Sequence, residues 1–107
     1  MSGISTHVLD TSSGRPAAGV PVTLERQQGA DWQLAGSGET DGDGRLRTLL
    51  TTAPQAGTYR ITFNTGRYFP DGFFPSVTIT FNVEQGQEHY HVPLLLSPYG
   101  YSTYRGS

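Results

Sequence analysis

No cysteine occurs anywhere in the 107 residues, which removes disulfides, thiol nucleophiles and thiolate metal ligands together. A basic surplus is missing too: seven Lys and Arg stand against nine Asp and Glu, for a formal net charge of −2. Nucleic-acid binding draws on a basic face that releases counterions, so no nucleic-acid partner is expected. No apolar run approaches the roughly 20 residues that a membrane-spanning helix needs, so no membrane association is expected either. The opening Met1-Ser2-Gly3-Ile4-Ser5-Thr6 has neither a basic start nor an apolar stretch, and Arg105-Gly106-Ser107 is not a sorting address. The cytoplasm is therefore the expected compartment. No segment carries a sustained helical stripe.

What is present points to strands and tight turns. There are fourteen glycines, seven prolines, six tyrosines and five phenylalanines. The length suits one domain spanning residues 1–107, large enough to bury its own core. Apolar residues recur with a period of two: Val20, Val22 and Leu24; Tyr59, Ile61 and Phe63; Val77, Ile79, Phe81 and Val83. Half-buried antiparallel strands produce this pattern. Further strands are predicted near Ser5–Leu9, Trp32–Ser37, Leu46–Leu49, Tyr90–Leu96 and Tyr101–Arg105, with a helical turn over Thr65–Phe69. Ser13-Gly14-Arg15-Pro16, Asp41-Gly42-Asp43-Gly44, Gly57 and Gly86 punctuate them. The expected fold class is all-β, a two-sheet sandwich.

Two strands depart from simple alternation. In Tyr90–Leu96 the core-like face is Tyr90, Val92, Leu94 and Leu96, yet the other face holds His89, His91, Pro93 and Leu95. A strand apolar on both sides is usually covered on both sides, which implies a second subunit over the outer face. The first strand puts Ser5, His7 and Leu9 opposite Ile4, Thr6 and Val8, so His7 and His91 are both expected to point away from the core.

A lone histidine is ordinarily a surface or interface residue. A functional role needs convergence. Neutral imidazole, with an unperturbed pKa of about 6.5, takes a proton from water near neutrality, while a second polar group stabilises charge on a carbonyl oxygen. His89 and His91 also form a His-x-His pair that could ligate a metal, but no third ligand sits at a tell-tale spacing, and no metal site is expected. Thr40-Asp41-Gly42-Asp43-Gly44-Arg45 begins like a calcium loop, but Leu50 stands where such a loop closes on a glutamate. It reads as a tight turn, with Arg45 at its exit able to present a guanidinium fork to a planar heterocycle. The tail Tyr101–Ser107 keeps aromatic strand character to its end, where chains usually fray. An ordered end would place the terminal carboxylate at a defined point.

Taken together, Ser5-Thr6-His7-Val8-Leu9-Asp10, Gly14-Arg15-Pro16-Ala17, Thr40–Arg45, Phe73-Phe74-Pro75, Tyr90–Pro98 and the closing Tyr104-Arg105-Gly106-Ser107 resemble the transthyretin-related family, on its 5-hydroxyisourate hydrolase side. The terminal Tyr-Arg-Gly-Ser is the most specific of these motifs. The resemblance implies a prealbumin-like sandwich of two four-stranded sheets with one short helix, and a homotetramer with sites at the dimer–dimer interface. It implies cofactor-free hydrolysis of 5-hydroxyisourate to 2-oxo-4-hydroxy-4-carboxy-5-ureidoimidazoline, in urate catabolism. Carried over by position, the catalytic set is His7, Arg45, His91 and Ser107, and substrate binding falls to Arg45, Tyr104, Arg105, Gly106 and Ser107. His7 and His91 would divide the base and acid work, with either assignment open. Two other readings remain: a non-catalytic carrier of small aromatic ligands, and a structural sandwich repeat, which the middle of the chain fits equally well.

Overall fold

The computed structural model describes residues 2–106. Nine strands and one short helix follow in order: β1 Gly3–Asp10, β2 Arg15–Pro16, β3 Pro21–Gln28, β4 Asp31–Glu39, β5 Arg45–Leu50, β6 Gly57–Phe63, α1 Thr65–Tyr68, β7 Val77–Val83, β8 His89–Leu96 and β9 Tyr101–Thr103. They form two sheets. One runs β4-β3-β6-β7, with every neighbouring pair antiparallel. The other runs β2-β1-β8-β9, with β5 also paired to β1. The two-residue β2 is what makes this second sheet five-stranded rather than four. It shares one edge of β1 with β5, taking Leu9 and Asp10 while β5 takes Ile4 to His7.

The period-two residues face each other between the sheets. Ile4, Val8, Leu94 and Leu96 from one sheet meet Val20, Val22, Leu24, Ile61 and Phe63 in a closed core. Each such side chain removed from water contributes roughly 1.5–3 kcal/mol, so this face decides which way each strand turns. Thr6 lies on the same inward face and is fully buried, and its hydroxyl donates to the Val92 carbonyl at 2.6 Å. A buried hydroxyl with its bond made costs little.

The structure settles a strand direction that the sequence left open and shortens the last strand. The pairing of β1 with β8 is parallel, in register from Gly3↔His89 to Asp10↔Leu96. The last strand stops at Thr103 instead of running to Arg105, and the chain rejoins β8 only at the bridge His91↔Gly106. Pro93 explains the gap. It sits where the ladder should bond to Tyr104, has no N–H to donate, and its carbonyl is taken by the Thr103 hydroxyl at 2.7 Å.

α1 is too short to be stable alone. It is tied to β1 through Asp10, a buried residue whose carboxylate accepts bonds from the Tyr68 hydroxyl at 2.9 Å, the Ser12 N–H at 3.0 Å and the Ser12 hydroxyl at 2.6 Å. Burial alone would raise this carboxyl; the bonds from Ser12, Tyr68 and Ser13 outweigh it and hold the group below its ordinary value. Its contribution is therefore present above pH 3.8 and lost as pH falls through the lower folded-state value. Asp10→Ala is expected to lower stability by about 3 kcal/mol in urea unfolding at pH 7, since several donors lose a charged acceptor. A change below about 0.5 kcal/mol, the scale of an ordinary surface substitution, would show that other contacts hold α1.

Candidate active site

Three adjacent strands, β5, β1 and β8, bring the site residues onto the outer face of the five-stranded sheet. Antiparallel pairing sets Arg45 opposite His7, and parallel pairing sets Ser5 opposite His91. On each strand the neighbours of these residues (Leu46; Thr6 and Val8; Tyr90 and Val92) are buried in or beside the core. Alternation then directs His7, Arg45 and His91 outward, and all three are half-buried.

The turn before β5 is built to deliver Arg45. Asp41 closes it: its carboxylate accepts from the Asp43 and Arg45 N–H groups at 2.9 and 3.0 Å, and its carbonyl accepts from Gly44 at 2.9 Å. The carboxylate is thus occupied within the turn, in keeping with a structural role for Asp41. Gly44 has a φ of +73° and lies so close to β1 that a Cβ there would meet the Val8 carbonyl oxygen at 2.5 Å. Only glycine fits. The Val8 N–H in turn donates to the Gly44 carbonyl at 2.7 Å, fixing the turn beside His7.

The tail reaches the site from the other side. Gly106 donates its N–H to the His91 carbonyl at 2.8 Å, and a Cβ on it would lie 2.6 Å from Cδ2 of the His91 ring. Ser107 lies outside the described residues. Arg105 goes elsewhere: its guanidinium sits 4.8 Å from the ring centroid of Tyr90, on the side of β8 that does not carry His91. There Tyr104 and Arg105 border a cavity of about 230 Å³ walled by Ile79, Phe81, Tyr90 and Val92. Within one chain, then, Arg45, His7, His91 and Gly106 converge, whereas the Arg105 guanidinium turns away.

Both imidazoles are held neutral. For His7, burial and then the Arg45 charge lower the pKa from the ordinary 6.5, against a hydrogen bond to the Asp43 backbone that raises it. For His91, burial comes first, followed by the Arg45 charge and by repulsion from the His7 and His89 rings whenever these take a proton. Such a site offers two uncharged imidazoles beside a permanent cation, suited to moving a proton while stabilising an anion. One member had no role assigned from sequence. The Ser5 hydroxyl, 6 % exposed, bridges His91 Nδ1 at 2.8 Å and His89 Nε2 at 3.3 Å. Its only signal was its place two residues before His7 on the same strand face. Among the described residues, no group of three or more His, Asp or Glu side chains is placed to hold a metal ion.

The HIUase/Transthyretin family profile matches residues 4–106. The chain belongs to that family. It is 49 % identical over 109 residues to a 5-hydroxyisourate hydrolase of Salmonella dublin, covering 97 % of this chain and 80 % of the relative. The solved 5-hydroxyisourate hydrolase of Klebsiella pneumoniae superposes with a TM-score of 0.87 at 39 % identity, all of both chains being covered. Sea bream transthyretin, solved in complex with thyroxine, superposes with a TM-score of 0.90 at 28 % identity, covering 97 % of this chain and 94 % of its own. The family's fold thus serves both an enzyme and a hormone-binding protein, and backbone similarity cannot separate them. The side chains on the outer face of β5-β1-β8 must.

Titration of the histidine ring protons by NMR is expected to give midpoints below pH 6.5 for both His7 and His91, given the causes above. A midpoint above that value for either would mean that burial and the Arg45 charge do not outweigh the groups that favour its protonated form. Gly106→Ala is expected to displace the His91 ring, seen as a changed Cδ2-proton shift with little change in thermal stability. An unmoved ring would show that the tail yields instead.

Proposed function

We propose that this protein hydrolyses 5-hydroxyisourate to 2-oxo-4-hydroxy-4-carboxy-5-ureidoimidazoline, opening the ring by water attack without a cofactor. What carries the reading is the convergence of neutral His7 and His91 with the Arg45 guanidinium on one sheet face. The hydrolase relatives named above support it from a separate direction. Water adds to the C6 carbonyl, its proton goes to an imidazole, the C6–N1 bond breaks, and N1 takes up a proton. His7 and His91 share the base and donor work. Arg45 holds the planar substrate and meets the negative charge on the carbonyl oxygen. Gly106 keeps the tail against His91, and Ser107 and Tyr104 complete the binding set, which the Arg105 guanidinium, held over Tyr90 in the single chain, would join only on leaving that ring.

In this reading the single domain works as a cytoplasmic homotetramer. Half-buried His7, Arg45 and His91 on an outer sheet face need a wall to exclude water, and a facing subunit would supply it. Among the described residues, no helix is long and apolar enough to cross a membrane.

The test is optical. Urate oxidase generates 5-hydroxyisourate in situ, and its ultraviolet decay is followed with and without this protein. Decay should accelerate in proportion to enzyme, and His91→Ala or Arg45→Ala should slow turnover by roughly 10²–10⁴, the usual worth of an acid–base or charge-stabilising group. Near-normal turnover in His91→Ala would remove His91 from the catalytic set. No acceleration by the folded wild-type protein, together with displaceable iodothyronine binding, would establish the carrier reading.

A further inference from the structure

We infer that Ser5 and His89 are positioning residues: a hydrogen-bond chain from His89 Nε2–H to the Ser5 hydroxyl to His91 Nδ1 keeps the His91 proton on Nε2, making His91 the site's hydrogen-bond donor and leaving His7 as its base. The chemistry rests on the hydrolase reading above, whereas the hydrogen-bond chain rests on geometry alone.

The Ser5 hydroxyl lies within bonding distance of both rings, 2.8 Å from His91 Nδ1 and 3.3 Å from His89 Nε2. It has one proton and two lone pairs; were both rings to donate to it, its own proton would meet no acceptor among the described residues, so it donates to one ring and accepts from the other. Two arrangements do this. If Ser5 donated to His89, neutral His89 would carry its proton on Nδ1. That atom is buried and, among the described residues, meets no hydrogen-bond partner. An N–H enclosed without an acceptor is the more costly defect, and orphaned buried N–H groups are rare. In the other arrangement, Nδ1 of His89 holds only a lone pair, Nε2–H donates to Ser5, and Ser5 donates to His91 Nδ1. A neutral His91 then carries its proton on Nε2.

With His91 protonated on Nε2 and its Nδ1 taken by Ser5, His7 is the imidazole left to take a proton from water, and the Asp43 backbone beside its ring favours the protonated form. The work then divides. Water loses a proton to His7 as its oxygen bonds to C6. His91 Nε2–H and Arg45 meet the charge gathering on the carbonyl oxygen. The C6–N1 bond breaks, and the proton held on His7 passes to N1, which returns both imidazoles to their starting forms. No proton leaves His91, whose role is that of a neutral hydrogen-bond donor.

The experiment is a two-bond proton–nitrogen correlation on ¹⁵N-histidine-labelled protein at neutral pH, paired with kinetics in the decay assay. Wild type should show His91 with a pyrrole-type Nε2 and a pyridine-type Nδ1. Ser5→Ala should release His91 to a mixture of tautomers and lower kcat roughly 10- to 100-fold, the range lost with an orienting partner of a histidine, with little change in KM. Ser5→Thr, which keeps the hydroxyl, should restore both. The inference is overturned by a wild-type His91 protonated on Nδ1, a result that needs no variant, or by a Ser5→Ala protein whose His91 tautomer is unchanged. The expected tautomer in a wild-type protein that leaves 5-hydroxyisourate decay unchanged would uphold the chain and overturn the hydrolase reading.

Discussion

The parallel pairing of the first and last long strands is the constraint on which the rest depends. β1 and β8 lie in register along their whole lengths, from Gly3↔His89 to Asp10↔Leu96. Residues 86 positions apart, Ser5 and His91, come within hydrogen-bond reach only through this pairing. Closing so long a loop has a large entropic cost, met here by the inward row of Ile4, Val8, Leu94 and Leu96 packing into the core. The same row locks the register. A slip of one residue would bury the histidines and expose the leucines, so packing energy indirectly holds the imidazoles in place.

Around that pair, the fold uses backbone geometry to bring in the remaining groups. On one side Gly44 presses the turn against β1, and Asp41 ties that turn shut, so Arg45 emerges opposite His7. On the other side Pro93 interrupts the last ladder, and the chain passes Tyr104 and Arg105 before Gly106 rejoins at His91. Opposite Val92 in the register that His91↔Gly106 sets, Arg105 lies over Tyr90 on the other face. Polar order at the site therefore rests on two glycines and a proline as much as on the charged side chains.

Electrostatics follow from this placement. Burial penalises a positive charge on either imidazole, and the guanidinium beside them adds to the penalty. Neutral histidines are the outcome, and a neutral imidazole serves as acceptor or donor according to which nitrogen holds the proton. Ser5 thereby gains importance out of proportion to its size. A transthyretin-like backbone is common to an enzyme and a hormone-binding protein, and this ring-to-hydroxyl arrangement is side-chain detail that a backbone comparison does not register.

Much of the fold was legible in the sequence because period-two alternation is a local property. Val20, Val22 and Leu24, or Tyr59, Ile61 and Phe63, declare a strand and its buried face with no reference to the rest of the chain. The outward direction of His7 and His91 was readable by the same rule, and so was the turn at Asp41–Gly44. What alternation does not encode is which strand lies beside which, or in which direction. Parallel pairing of β1 with β8, the stop of β9 at Thr103 and the departure of Arg105 toward Tyr90 depend on contacts between distant segments. So the sequence by itself determined the strands, their inward faces and the candidate groups. Only the tertiary structure decided that Ser5 bridges His89 and His91, because a hydrogen bond needs two atoms within about 3 Å, and only folding sets that distance for residues so far apart in the chain.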